Sequence, residues 1–278
     1  MRKSYMFILV ALLAFPAVAQ LKLPRVSQHA VVTQTIGLTD VTITYSRPGV
    51  KGRVIFGGLV PYGQVWRTGA NEATTISFSD DVTIDGKPLP KGTYSLHTIP
   101  GADEWTLIFN TVANQWGSFS YDQKKDALRV NVKPQKTAFT EWMTFDVPSV
   151  STDAGTIELR WADVAVQFTV NANTTAKVLA SAREAVAAAK PDDWRTPYSA
   201  ASFAFDSGME AEGTKWIDAS IKAGEHMTNL WLKAEMELKA GKKADAIRTG
   251  ELALSKKTEK DSAALAAEIR DQIASWKK

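Results

Sequence analysis

The chain has 278 residues, 45% of them hydrophobic and 23% charged, with three histidines and no cysteine. That is an ordinary globular composition, long enough for two domains, and it excludes disulfide bracing and lipid attachment to a processed N-terminal cysteine. A formal net charge of +3 leaves neither nucleic acid nor an anionic membrane as an expected partner.

Arg2 and Lys3, an apolar run of 11 residues from Tyr5 to Phe15, and Ala17-Val18-Ala19 before Gln20 have the three-part layout of a secretory signal peptide. The run is short of the roughly 20 residues that span a bilayer, so cleavage after Ala19 is expected rather than a stable membrane anchor. The product would be periplasmic or secreted, with 31 basic against 30 acidic residues.

From residue 20 to 171 apolar residues alternate with polar ones, as in Val41-Thr-Ile43-Thr-Tyr45, Val82-Thr-Ile84 and Tyr94-Ser-Leu96. Period two over short runs predicts half-buried strands. Asp85-Gly86, Pro90-Lys91-Gly92, Pro100-Gly101 and Asp153-Ala-Gly155 punctuate them, and Asp85-Gly86 predicts a tight hairpin. An antiparallel β-sandwich or barrel-like domain follows. Within it, Trp66, Trp105, Trp116, Trp142 and Trp161 are expected mainly as core, with a sugar-stacking platform as the alternative.

Ser46 to Glu72 breaks the alternation. It holds six glycines and two prolines, so much of it must run as irregular backbone, and it carries Arg47, Lys51, Arg53 and Arg67 against Glu72 alone. Residues 20–171 as a whole are balanced, with 14 basic and 14 acidic residues, so the local charge of +3 is a concentration. Glycine-rich backbone and arginine forks suit a polar or anionic small molecule or a glycan, with Arg47, Arg53, Arg67, Asn71, Glu72 and His97 as candidate ligand-binding residues. The alternative is that these arginines pair with Asp80, Asp81, Asp146 or other acids and fasten a long loop.

Tyr45-Ser-Arg-Pro48, Gly52-Arg53, Ile55-Phe-Gly57, Leu59-Val-Pro-Tyr-Gly63, Val65-Trp-Arg-Thr-Gly-Ala-Asn-Glu-Ala73, Leu89-Pro and Gly92-Thr-Tyr-Ser-Leu96 together resemble the signature of the domain-of-unknown-function 2911 family. The resemblance runs from about Leu21 to Val170. It implies export from a Gram-negative bacterium, especially one of the Bacteroidota, and helical repeats following the β region. It carries no activity.

Beyond Asn171 alanine becomes frequent and apolar spacing shifts to threes and fours, as in Val178, Ala182, Ala185, Val186 and Ala189. Helices are predicted from Asn173 or Thr174 to before Pro191, and over Asp193–Ser207, Ala211–Ala223, His226–Ala240, Ala244–Lys257 and Asp261–Trp276. Gly208, Gly224 and Gly241 stand where left-handed caps would fall. Gly208 and Gly241 lie 33 residues apart, and the stretch from Trp231 to Leu254 resembles a tetratricopeptide repeat, with Ala234, Leu238, Gly241, Ala246 and Ala253 at close-approach positions. A weaker copy has Ala201, Phe205, Gly208, Gly213 and Ser220. Residues 172–278 are therefore read as an all-α helical-hairpin domain, either a tetratricopeptide-like array with a protein partner or a plain bundle.

His29, His97 and His226 are too dispersed for a metal site, and no nucleophile elbow, phosphate loop or dinucleotide fingerprint occurs, so no cofactor is expected. Three functions stay open: a binding protein with its site on the glycine- and arginine-rich loop, an enzyme acting on envelope glycans or peptides with Glu72 and His97 as acid and base, and a purely structural module.

Overall fold

A computed structural model describes residues 23–278; the expected signal segment at 1–19 lies outside the described residues. The strands are β1 (Gln28–Ile36), β2 (Thr39–Arg47), β3 (Thr75–Phe78), β4 (Val82–Ile84), β5 (Lys87–Leu89), β6 (Gly92–Ile99), β7 (Trp105–Asn110), β8 (Asp126–Val132), β9 (Gln135–Val150) and β10 (Ala154–Asn171). They form two antiparallel sheets, one ordered β1-β2-β3-β6-β7-β8 and the other β5-β4-β10-β9.

Alternation sorts their side chains. Val41, Ile43 and Tyr45 of β2, Ile76 and Phe78 of β3, Leu96 of β6 and Phe109 of β7 meet Met143, Phe145, Leu159, Phe168 and Val170 of the second sheet in one buried core. The intervening positions of the first sheet, among them Thr42, Thr44, Thr75, Ser95 and His97, therefore lie on its outer face. The hairpin at Asp85-Gly86 forms as expected: both residues have positive φ, 47° and 80°, and join β4 to β5.

Between β2 and β3 the backbone follows the expected irregular course, with isolated bridges to the sheets at Gly49–Trp142 and Trp66–Thr98 and one, Glu72–Trp116, to the segment between β7 and β8. Trp66 and Trp161 stack with centroids 5.7 Å apart at 18°, and Phe56 and Trp105 pack edge-on against them. The expectation of core tryptophans thus holds for Trp66, Trp105 and Trp161, whereas Trp116 and Trp142 are exposed.

Six helices follow: α1 (Thr174–Ala188), α2 (Arg195–Asp206), α3 (Glu210–Ala223), α4 (Met227–Lys239), α5 (Lys243–Ser255) and α6 (Ala263–Trp276). Ala201, Ala204 and Ser220 let α2 and α3 approach, and Ala234, Ala246 and Ala253 do the same for α4 and α5, all of them fully buried. Gly208 and Gly241 close α2 and α4 in the left-handed region, with φ of 75° and 76°. Gly224 does not: its φ is 175°, an extended conformation, because the chain turns there directly into His226, whose ring lies against it and stacks on Trp194.

Among the contacts that tie the helices to the sheets is one at the start of α1. Asn173, the residue before α1, offers no side-chain cap; Asp153, in the β9–β10 turn, instead accepts the Thr175 backbone N–H at 2.6 Å and its hydroxyl at 2.7 Å. Two otherwise unpaired donors of the first helical turn are thereby satisfied from another element.

Candidate functional site

The six residues proposed from sequence are distributed over two cavities and three structural positions. A cavity of about 400 Å³ is lined by Lys51, Arg53, Arg67, Trp66, Trp161 and backbone-rich positions such as Gly49 and Gly69. No carboxylate is among its lining residues. Glu141 is the acid that touches this loop, and it accepts the backbone N–H of Lys51 at 2.9 Å from outside the lining.

The arginines of the loop do not pair with Asp80, Asp81 or Asp146. Arg53 donates to the carbonyls of Val50 (3.1 Å) and Gly49 (2.6 Å), so its guanidinium braces the loop at the cavity wall. Asp146 and Asp80 pair with Arg160 and Lys177, and Asp81 accepts the Lys91 backbone N–H. Arg67 is half-buried and makes no hydrogen bond or ion pair among the described residues; its Nε is fully buried. Burial holds its pKa below the ordinary arginine value, which records how poorly its charge is solvated. Trp161 Nε1 is likewise buried without an acceptor. Both unsatisfied groups at this cavity are donors.

Thr68, next to Arg67, is fully buried at φ +54°, a conformation that costs a β-branched residue about 1–3 kcal/mol. It is held there by a bond between its hydroxyl and that of Thr98 (3.1 Å) and by Thr74, whose hydroxyl donates to the Thr68 carbonyl at 2.6 Å. Arg67 lines the cavity beside Trp66 and Gly69.

Arg47 does not join this cavity. As the last residue of β2 it reaches across to β9, donating to Met143 O (2.9 Å) and Thr144 Oγ1 (2.7 Å), and so ties the two sheets. Asn71, with φ +60°, donates to Ser27 O at 3.1 Å and fastens the segment entering β1. Its part is architectural.

Glu72 belongs to a second cavity of about 620 Å³ on the outer face of the first sheet. There both of its carboxylate oxygens accept from a single nitrogen, Nη1 of Arg25 (2.7 and 2.6 Å), a residue that nothing in its sequence surroundings singled out. These bonds hold the Glu72 carboxyl below the usual carboxylate range.

His97 lines neither cavity. It lies on the outer face of β6 but is wholly covered by the segment between β7 and β8, with Tyr121 packed on its ring at 5.2 Å and neither ring nitrogen hydrogen-bonded. Burial lowers its pKa, opposed by the Gly117 backbone and the charge of Asp126. The candidate acid–base pair of Glu72 and His97 is therefore not assembled: one member is exposed and salt-bridged, the other sealed from solvent. The cover is itself polar and ordered, since Asp126 accepts from Tyr121, Arg129 and Asn110 at 2.7, 2.7 and 2.8 Å.

Fold and site together define a two-sheet antiparallel domain with a cationic cavity at its irregular loop, followed by six helices. Residues 27–170, just over half of the chain, match the family described as "Protein of unknown function (DUF2911)", and the chain belongs to that family. No curated protein and no solved structure matches it.

Proposed function

We propose that this is an exported binding protein whose β domain holds a small anionic ligand in the cavity of Lys51, Arg53 and Arg67. The observation that carries the reading is Arg67: a half-buried guanidinium with no partner, in a cavity whose lining has three cations and no acid. An unpaired charge taken partly out of water is unfavourable unless something pairs with it. A carboxylate, sulfate or phosphate oxygen would supply it.

Export is supported by the signal-like layout of residues 1–20, and periplasmic or secreted placement follows from it. The helical hairpins α2–α3 and α4–α5, closed by left-handed glycines, support a tetratricopeptide-like role for residues 172–278 in holding a protein partner. Catalysis on envelope glycans or peptides by Glu72 and His97 has less support, since the two do not share a cavity.

Thermal unfolding with and without inorganic phosphate, sulfate, citrate and a hexuronate tests the binding reading. A ligand present at about 100 times its Kd stabilises the folded state by about 2.7 kcal/mol. At least one of these anions should raise the melting temperature of the wild type and leave that of Arg67→Met unchanged. Equal responses of the two proteins to every anion would show the cavity to be structural.

A further inference from the structure

The larger cavity differs from the cationic one in chemistry. Its floor is the outer face of the first sheet, where Thr44 and Thr75 stand, and its walls are the segment carrying Glu72 and Ala73 and the segment carrying Asn114, Gln115 and Trp116. Arg25 closes one side, and its ion pair with Glu72, through Nη1, offsets the charge of both. What remains along the lining is His29, the hydroxyl and amide groups of Thr44, Thr75 and Asn114, apolar surface between them, and one indole.

The backbone that carries that indole is held in place. Ala73 N–H donates to Gln115 O (2.9 Å) and Gly117 N–H to Asn71 O (3.1 Å), so Trp116 sits in a short antiparallel bridge opposite Glu72. The Gln115 side-chain amide anchors the same segment from below by donating to Val112 O at 2.8 Å and to Ser95 Oγ at 3.3 Å. Trp116 is nevertheless 60% exposed, and Phe119, its ring against Gly117, is 85% exposed beside it. A large aromatic carried on bonded backbone and left largely uncovered at the mouth of a cavity is available to the face of a ligand.

We propose that this cavity is a carbohydrate site for a neutral pyranose, with Trp116 as the stacking plate. The apolar C–H face of a sugar ring matches the electron-rich face of an indole and the apolar part of the lining, and its hydroxyls match the groups of Thr44, Thr75 and Asn114, which both donate and accept. An anion has no net positive charge to meet here, because Glu72 neutralises Arg25. A lipid or apolar peptide would bury the hydroxyls of Thr44 and Thr75 without partners. The volume is within the range of small-ligand pockets, and the bonded backbone on either side of Trp116 lowers the ordering cost of binding. The site is independent of the anion cavity: it shares none of Lys51, Arg53 and Arg67.

The experiment is titration calorimetry of the full chain with cellobiose, maltose, N,N′-diacetylchitobiose and lactose, each up to about 10 mM. At least one sugar should bind. Trp116→Ala should weaken that binding about tenfold or more, Trp116→Phe should restore part of it, and Arg67→Met should leave it unchanged. The exposure of Trp116 makes its substitution compatible with the fold, which circular dichroism and an unaltered melting temperature would verify. Absence of binding by all four sugars, or binding that Trp116→Ala does not weaken, overturns the proposal. Binding lost in Arg67→Met but kept in Trp116→Ala would place the sugar in the cationic cavity and overturn it equally.

Discussion

Replacing Arg67 with methionine separates a binding residue from a fastening one by the sign of the stability change. A fastening arginine contributes hydrogen bonds to charged groups worth about 1.5–3 kcal/mol each when formed, and its loss lowers stability. Arg67 makes none among the described residues, and its Nε is buried with nothing to accept from it. A buried unsatisfied donor costs about 1–3 kcal/mol, and partial solvation of the rest of the half-buried guanidinium places Arg67 at the low end of that range. Methionine keeps the unbranched stem beside Trp66 while removing the donor. Arg67→Met should therefore stabilise the ligand-free protein by about 1 kcal/mol, a rise of roughly 2–4 °C in melting temperature for a chain of this size. Arg47→Met is the internal contrast: it loses bonds of 2.9 and 2.7 Å to β9 and should lower stability by about 1–3 kcal/mol. Differential scanning calorimetry of both variants in anion-free buffer reads the two signs. A fall of about 2 kcal/mol or more for Arg67→Met, matching a core truncation, would refute the reasoning.

Asp153→Ala removes the acceptor for Thr175 N–H and hydroxyl and should cost about 1 kcal/mol, with amide exchange in the first turn of α1 quickened while that of α4 is unaffected. His97 is buried neutral with a lowered pKa, so the unfolded chain takes up a proton before the folded one does. Its contribution is whole above the ordinary histidine value of about 6.5 and is lost as pH falls from there toward the lower folded value. His97→Gln should flatten that part of the stability profile measured by denaturant titration, and an unchanged slope would count against the assignment. Gly58→Ala should destabilise the loop, because a Cβ there would lie 2.5 Å from the Val54 carbonyl oxygen, and overpacking of that kind costs about 1–3 kcal/mol. A melting temperature equal to wild type would show that the backbone yields more easily than the contact implies.

Much of the fold was legible because local chemistry and tertiary structure agree. Alternation in Val41-Thr-Ile43-Thr-Tyr45 reports a strand with one face in a core, and that strand is β2. Alanines at helical spacing report close helix approach, and the boundaries of α1 to α6 fall within about two residues of those predicted, where end fraying sets the usual scatter. Gly224 was misread because a glycine after a helix has a left-handed cap as its commonest use, whereas the stacking of His226 on Trp194 selects an extended turn.

The site was legible only as a region. The sequence by itself determined that residues 46–72 could not be ordinary sheet and that their cations outnumber their acids, since glycine and proline content and formal charge are properties of the chain. Only the tertiary structure decided which of those groups share a space. Arg47 and Arg67 differ in nothing visible along the chain, yet one ends a strand facing β9 and the other follows a strained buried threonine at a cavity wall. Arg25 meets Glu72 across 47 residues, and His97 is sealed by a segment that begins beyond the next strand. Period two tells which face of a strand a side chain takes; what covers that face depends on loop closure between distant positions, which no local pattern encodes.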